Sequence, residues 1–242
     1  MPDSMKLRDA DGVRLLTFNR PERLNSFTAV DYRDLHLALD ECLDDDSIHA
    51  VVLTGAGQAY SAGADRSLLQ LNADSSDLSD AGTEFTRLLE VFGDFDKPLI
   101  AAVNGVAVGF GATMLMCCDL VVVAETARLR LPFTALGIVP EAGSSALLPL
   151  RLRWPDLTWA LMSSDWIDAT AAVDMGFAWR CVPDHLLLEE TLNAAAIISK
   201  LDNAAVRATK RLMTAGRAEL ATAAIQRELA ELRQLLRHRD ET

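Results

Sequence analysis

Residues His49–Asp65 read HAVVLTGAGQAYSAGAD, and the fold class turns on how this stretch is parsed. Ala50–Thr54 is a short apolar, β-branched run ending at turn residues, which predicts a strand. The turn that follows, AYSAGAD from Ala59 to Asp65, consists largely of small residues that let backbone N–H groups come close to a ligand. A helix expected to start at Ala64 would aim its N-terminal dipole at an anion bound there. On spacing alone, an ordinary strand-to-helix turn explains the same residues.

Working outward, Val13–Phe18, Leu99–Val103 and Leu120–Ala124 have the same strand character. Between the first two predicted strands, Thr28 can cap a helix with Leu35, Leu39, Cys42 and Leu43 on one face. Another helix is expected to open near Gly109. Asn72–Gly82 is polar and rich in Ser and Asp, and reads as a mobile loop. From about Ala142 the chain turns Ala/Leu-rich with helical periodicity, interrupted at Pro155 and by a short apolar piece before Pro183. Helices are expected over Leu186–Lys200, Asn203–Ala215 and Arg217–Arg237, the last with Leu220, Ala224, Leu229, Leu232 and Leu236 largely on one side. The architecture predicted is an α/β core followed by a helical segment, without sequence repeats.

The 242 residues suffice for one large buried core. A net charge of −12 argues against a nucleic-acid binder, because phosphate recognition needs a basic footprint. Any anionic substrate must then be met by a few local cations. Cys42, Cys117, Cys118 and Cys181 show no CxxC spacing and read as free thiols in a reducing compartment. The opening MPDSMKLRDADG has no apolar core of a signal peptide. Leu99–Met116, the longest apolar candidate, is broken by Asn104 and three glycines, so no span of a membrane is expected and the chain is expected in the cytoplasm.

Several chemistries lack their motifs. There is no GxxxxGK[ST] loop, no HExxH helix and no GxSxG elbow. The pairs Gly55–Gly57 and Gly109–Gly111 are followed by Tyr60 and Met114, where a dinucleotide fingerprint needs a small residue. His36, His49, His185 and His238 are scattered and read as structural or solvated.

Two further glycine-bearing turns remain. In NGVAVGFGATMLMCCD, Asn104–Asp119, Gly105, Gly109 and Gly111 open the entrance to a helix. Together with the turn at Ala64, it could present a pair of N–H donors to a carbonyl oxygen on which charge develops. In LPFTALGIVPEAGSS, Leu131–Ser145, Glu141 stands among Phe133, Leu136, Ile138 and Val139. A lone carboxyl in apolar surroundings has its pKa raised and can take and return a proton. It could equally be an acid that favours the dipole of a helix starting near Gly143.

The order NRPERLNSFT (Asn19–Thr28), HAVVLTGAGQAYSAGAD, then AAVNGVAVGFGATMLMCCD (Ala101–Asp119) resembles the crotonase superfamily, the enoyl-CoA hydratase/isomerase family, over almost the whole chain. The resemblance implies an α/β fold: a crotonase-like spiral of ββα turns over residues 1–185. It also implies a helical C-terminal trimerisation region over 186–242, and trimers or hexamers. It implies an oxyanion hole made by the backbone N–H groups of Ala64 and Phe110. The family usually has glycine where Phe110 stands; a main-chain donor survives the change, while the ring would narrow the acyl channel. Arg23, Leu24, Ala62, Gly63, Asp65 and Leu68 fall where the family contacts coenzyme A, and Arg23 would be a local cation. Gly109 and Phe133 complete the residues expected around the substrate.

Hydratases of the family carry two glutamates, at the positions of Thr113 and Phe133 here. The Δ3,Δ2-enoyl-CoA isomerases use a glutamate after the next proline, matched by Pro140–Glu141, and PFTALGIVPEAGSS looks like that branch. The resemblance therefore implies an enoyl-CoA isomerase of fatty-acid metabolism, with Glu141 as base and no metal, nicotinamide or flavin. Coenzyme A enters as part of the substrate. The rival readings are a 2-enoyl-CoA hydratase and a non-catalytic acyl-CoA-binding member.

Overall fold

A computed structural model describes residues 4–69 and 76–240. The chain opens with an antiparallel hairpin, β1 (Met5–Ala10) and β2 (Val13–Phe18), followed by α1 (Ala29–Asp44). α1 starts as the sequence predicts. Thr28 Oγ1 accepts from Asp31 N–H, and the Asp31 side chain accepts from Thr28 N–H, a reciprocal capping box.

Then comes a repeating move between two sheets. β3 (Ala50–Gly55) is followed by β4 (Ala59–Ser61), and after α2 (Arg66–Leu69) and α3 (Ser76–Asp94) come β5 (Leu99–Val103) and β6 (Val106–Val108). After α4 (Phe110–Thr113) come β7 (Leu120–Ala124) and β8 (Arg128–Arg130). The first strand of each pair joins a six-stranded sheet of order β1-β2-β3-β5-β7 and a last strand; the second joins a four-stranded sheet of order β4-β6-β8 and one more. The chain thus winds as a spiral whose turns each place one strand in either sheet. The remaining elements are α5 (Ser144–Leu147), α6 (Trp154–Ser163), β9 (Trp166–Asp168), α7 (Ala169–Asp174), β10 (Arg180–Val182), α8 (Leu187–Ser199), α9 (Asn203–Thr214) and α10 (Arg217–Asp240). β10 pairs parallel with β7 and β9 antiparallel with β8.

The larger sheet is parallel from β2 onward, and β3, β5 and β7 read as near-continuous apolar runs because elements cover both faces. α8 packs on β2, β3, β5 and β7, while α10 lies over α5 and α3. Among the described residues no helix is long and apolar enough to cross a membrane.

Three expectations change. Of the loop expected over Asn72–Gly82, residues 72–75 lie outside the described residues, and from Ser76 the chain is helical. The helix expected at Ala64 starts at Arg66, and the one near Gly109 is a single turn continued by a 3₁₀ turn. On α10 the buried side is Ala224 and Glu228, with Ala221, Ile225 and Leu232 partly covered; Leu220, Leu229 and Leu236 are exposed.

Candidate active site

The two glycine turns meet. Asn104 ties them by accepting from Gly55 N–H at 3.0 Å and donating to Gly57 O at 3.0 Å. Gly111 faces Ser61, where an added Cβ would lie 2.2 Å from the carbonyl oxygen, so only glycine permits the approach. The segment Arg20–Phe27 lies alongside. Asn25, buried and at φ 53, donates to Ala56 O and Ala59 O. Ala62 N–H donates to Leu24 O at 2.9 Å.

This weave orients two N–H groups. Phe27 N–H donates to Gly63 O and Asp65 N–H donates to Phe27 O, at 2.7 and 2.8 Å. Ala64 pairs with Phe27 through those neighbouring bonds, which leaves its own N–H outside the pairing. Phe110 is the first residue of α4, and the first N–H groups of a helix have no intrahelical acceptor. Neither N–H reaches a protein acceptor among the described residues. Gly63, at φ 79, separates them: a Cβ there would stand 3.1 Å from Phe110 N and 2.5 Å from Val108 O.

The Phe110 ring does not enter a channel. It is buried in an aromatic cluster, edge-on to Phe27, Tyr32 and Phe85 at 5.4, 5.5 and 4.9 Å. Phe85 is the member of the cluster that lines a cavity of about 710 Å³, bounded by α3, α10 and the turn Ile138–Ala142. Leu89, Ile138, Leu147, Ala221 and Ile225 add to its apolar wall, and Glu141 opens into it.

Glu141 keeps partial access to the cavity while its carboxyl sits in a dry setting. Burial first, and then the negative charge of Glu228, push its pKa up to about 7, against a hydrogen bond from Thr113 that pulls it down. Thr113 ends the one-turn helix that Phe110 begins, so its hydrogen bond sets the base beside the same helix that carries the second N–H donor. Tyr32 is also close: burial, then the Glu141 and Asp31 carboxylates, hold its phenol well above its ordinary range. The arrangement can remove a proton from a carbon next to a carbonyl and hold the charge that develops on the oxygen.

The other expected residues divide. Arg23 and Leu24 are exposed on the turn beside Ala62, and Arg23 makes no ion pair among the described residues. Ala62, Gly63, Ala64 and Gly109 are backbone contributors at the meeting of the turns. Leu68 is partly buried against the core. Asp65 is engaged within the fold: Ser26 Oγ donates to it at 2.7 Å, Ser67 donates twice and Arg20 stands at 3.5 Å. Burial raises its pKa, but these partners prevail and bring it down to about 2. Phe133 is buried in the core at 3% exposure and does not line the cavity. His36 and His49 bond to Glu84 and to the Ser199 carbonyl. Glu228 went unnoticed in the sequence. Its signal is its spacing, four residues after Ala224 and four before Leu232, an acid on a helix stripe that is otherwise apolar.

A family model described as enoyl-CoA hydratase/isomerase matches residues 8–241. The 1,2-epoxyphenylacetyl-CoA isomerase of Escherichia coli (strain K12) is 38% identical over 188 residues, covering 74% of this chain and 69% of its own. Enoyl-CoA delta isomerase 2 of Rattus norvegicus is 31% identical over 226 residues, covering 92% of this chain and 57% of its own. Other relatives carry hydratase names. The crystal structure of an enoyl-CoA hydratase/isomerase from Pseudoalteromonas atlantica T6c superposes with a TM-score of 0.88 at 33% identity, covering 96% of this chain and 91% of that one.

Proposed function

This chain belongs to the enoyl-CoA hydratase/isomerase family of acyl-CoA enzymes, and from that premise we propose that it moves the double bond of a 3-enoyl-CoA into conjugation. The observation that carries this reading is Glu141: of the carboxyls that line the largely apolar cavity, it is the one held near neutral pKa. In the ionised form it takes a C2 proton from the substrate. The electron pair left behind delocalises over the dienolate, whose oxygen receives the Ala64 and Phe110 N–H groups. The same carboxyl returns the proton at C4, giving the 2-enoyl-CoA. Proton and electrons balance without a redox partner or metal, and coenzyme A stays on the substrate. Each N–H donor supplies roughly 10²–10³ in rate.

Hydratase names among the relatives favour a second reading, addition of water to a 2-enoyl-CoA. Hydration needs a water held and deprotonated while C2 is protonated. Thr113 and Phe133, both buried, offer a hydroxyl and a phenyl ring where that chemistry wants carboxylates. A purely binding member of the family has no use for a carboxyl of raised pKa facing a cavity.

Exposed Trp154, Met162, Leu212 and Met213 suit subunit contacts in a trimer or a multiple of it. Sedimentation that returned a stable monomer at micromolar concentration would contradict this part. The reaction itself is tested by following conversion of a 3-enoyl-CoA with wild type and Glu141→Gln. The variant should fold normally and lose most of its turnover; keeping more than about a tenth of wild-type kcat overturns the single-base mechanism.

A further inference from the structure

The base of the proposed reaction is followed by backbone that needs outside support. Ala142 has φ 61 and Gly143 φ 72, so the chain passes through the left-handed region twice just after Glu141, the first time with a Cβ to accommodate. α5, which follows, is a single turn, and one turn cannot hold its own entry geometry. The support comes from α10. Glu228, only 7% exposed, accepts Gly143 N–H on Oε2 and Ser145 N–H on Oε1, both at 2.9 Å. Two turns earlier on α10, Ala221 packs on the same glycine, so closely that an added Cβ would stand 3.1 Å from its Cα and Cβ.

We propose that Glu228 is a positioning residue of the reaction, clamping the turn that carries Glu141 and setting the charge that Glu141 feels. The inference rests on Glu141 being the base. A carboxylate that accepts two buried backbone N–H groups is held in one place by charge-assisted bonds, and Glu228 and Glu141 line the same cavity, where the charge of one acts on the other. That charge comes second only to burial in raising the Glu141 carboxyl. The other groups that face Glu141 are Thr113 from α4, whose hydroxyl works in the opposite direction, and Tyr32 from α1. Glu90 and Asp94 of α3, Lys210 of α9 and Arg217 of α10 line the same cavity. Lys210 is paired with Asp119, and Arg217 donates to Met116 O, so the cations are engaged on the cavity wall. Among the described residues, Glu228 couples α10 both to the backbone of the turn and to the charge state of the base.

Glu228→Gln keeps the shape and one acceptor oxygen but removes the charge; Glu228→Ala removes both clamps. Titration of the Glu141 carboxyl by carbon NMR, assigned through its loss in Glu141→Gln, should move down by about half a unit or more in Glu228→Gln, as expected when a like charge is removed. The acid limb of the isomerase pH profile should move with it. In Glu228→Ala, kcat should fall by about 10²-fold with KM little changed, the size of a loss through misplacement. If that variant does not fold, the Glu228→Gln titration still decides. An unchanged Glu141 midpoint in folded Glu228→Gln overturns the inference. A wild-type protein without isomerase activity overturns the function proposed above instead, and the titration reads the hold of Glu228 on Glu141 independently.

Discussion

Gly63 and Phe110 are packed so closely that a Cβ on Gly63 would stand 3.1 Å from the Phe110 nitrogen and 2.5 Å from the Val108 oxygen. The left-handed backbone at Gly63, φ 79, therefore sets the spacing between the Ala64 and Phe110 donors. Gly63→Ala should push the two turns apart and lower kcat by about 10²-fold, the loss of one oxyanion donor, in a protein that circular dichroism shows to be folded. A folded variant with wild-type kcat would contradict the two-donor site.

The carboxyl of Glu141, at about 7 rather than the ordinary 4.5, sets a pH dependence. As the base it must be ionised in the free enzyme, so kcat/KM for isomerisation should rise with pH through about 7. Rates that stay flat from about pH 6 to about 8 would mean that another group, or none, carries the proton.

The same shift lowers stability as pH rises. Below 4.5 the group is protonated in folded and unfolded chains alike. Between 4.5 and about 7 the unfolded chain gives up its proton while the folded one keeps it, so stability declines across that window and levels off above it. With its partial exposure discounted, the loss is on the order of 2 kcal/mol. Glu141→Gln should therefore be more stable than wild type at pH of about 8 and show a flatter dependence between those limits. Chemical unfolding at several pH values checks this, and identical pH dependence in the two proteins would refute it.

Four of the six strands of the larger sheet were legible, because β2, β3, β5 and β7 are apolar, β-branched runs bounded by turn residues; the edge strands β1 and β10, partly exposed, were not. The smaller sheet was not, because β4, β6 and β8 have three residues each and carry no measurable period. Their place is set by the glycine contacts and Asn104, which act between turns distant in sequence. The first turns of α3 are polar enough to read as loop; its apolar face, with Phe85, Leu88 and Phe92, begins later, and the helix as a whole packs on α1. At the site, Glu141 stood out as an acid among apolar neighbours. The direction of the Phe110 ring depends on Phe27, Tyr32 and Phe85, which three separate segments bring together. Glu228 was hidden among the many charges of α10, where only its register with Ala224 and Leu232 distinguishes it.

The central claim is that one raised carboxyl, with a hydroxyl and a phenyl ring at Thr113 and Phe133, makes this chain an isomerase. Rates of 3-enoyl-CoA isomerisation and of 2-enoyl-CoA hydration, measured on one preparation with acyl chains of matched length, test it most directly. Hydration should be at least about 10²-fold slower in kcat/KM, the contribution of one general acid–base group; comparable values for the two reactions would contradict the account.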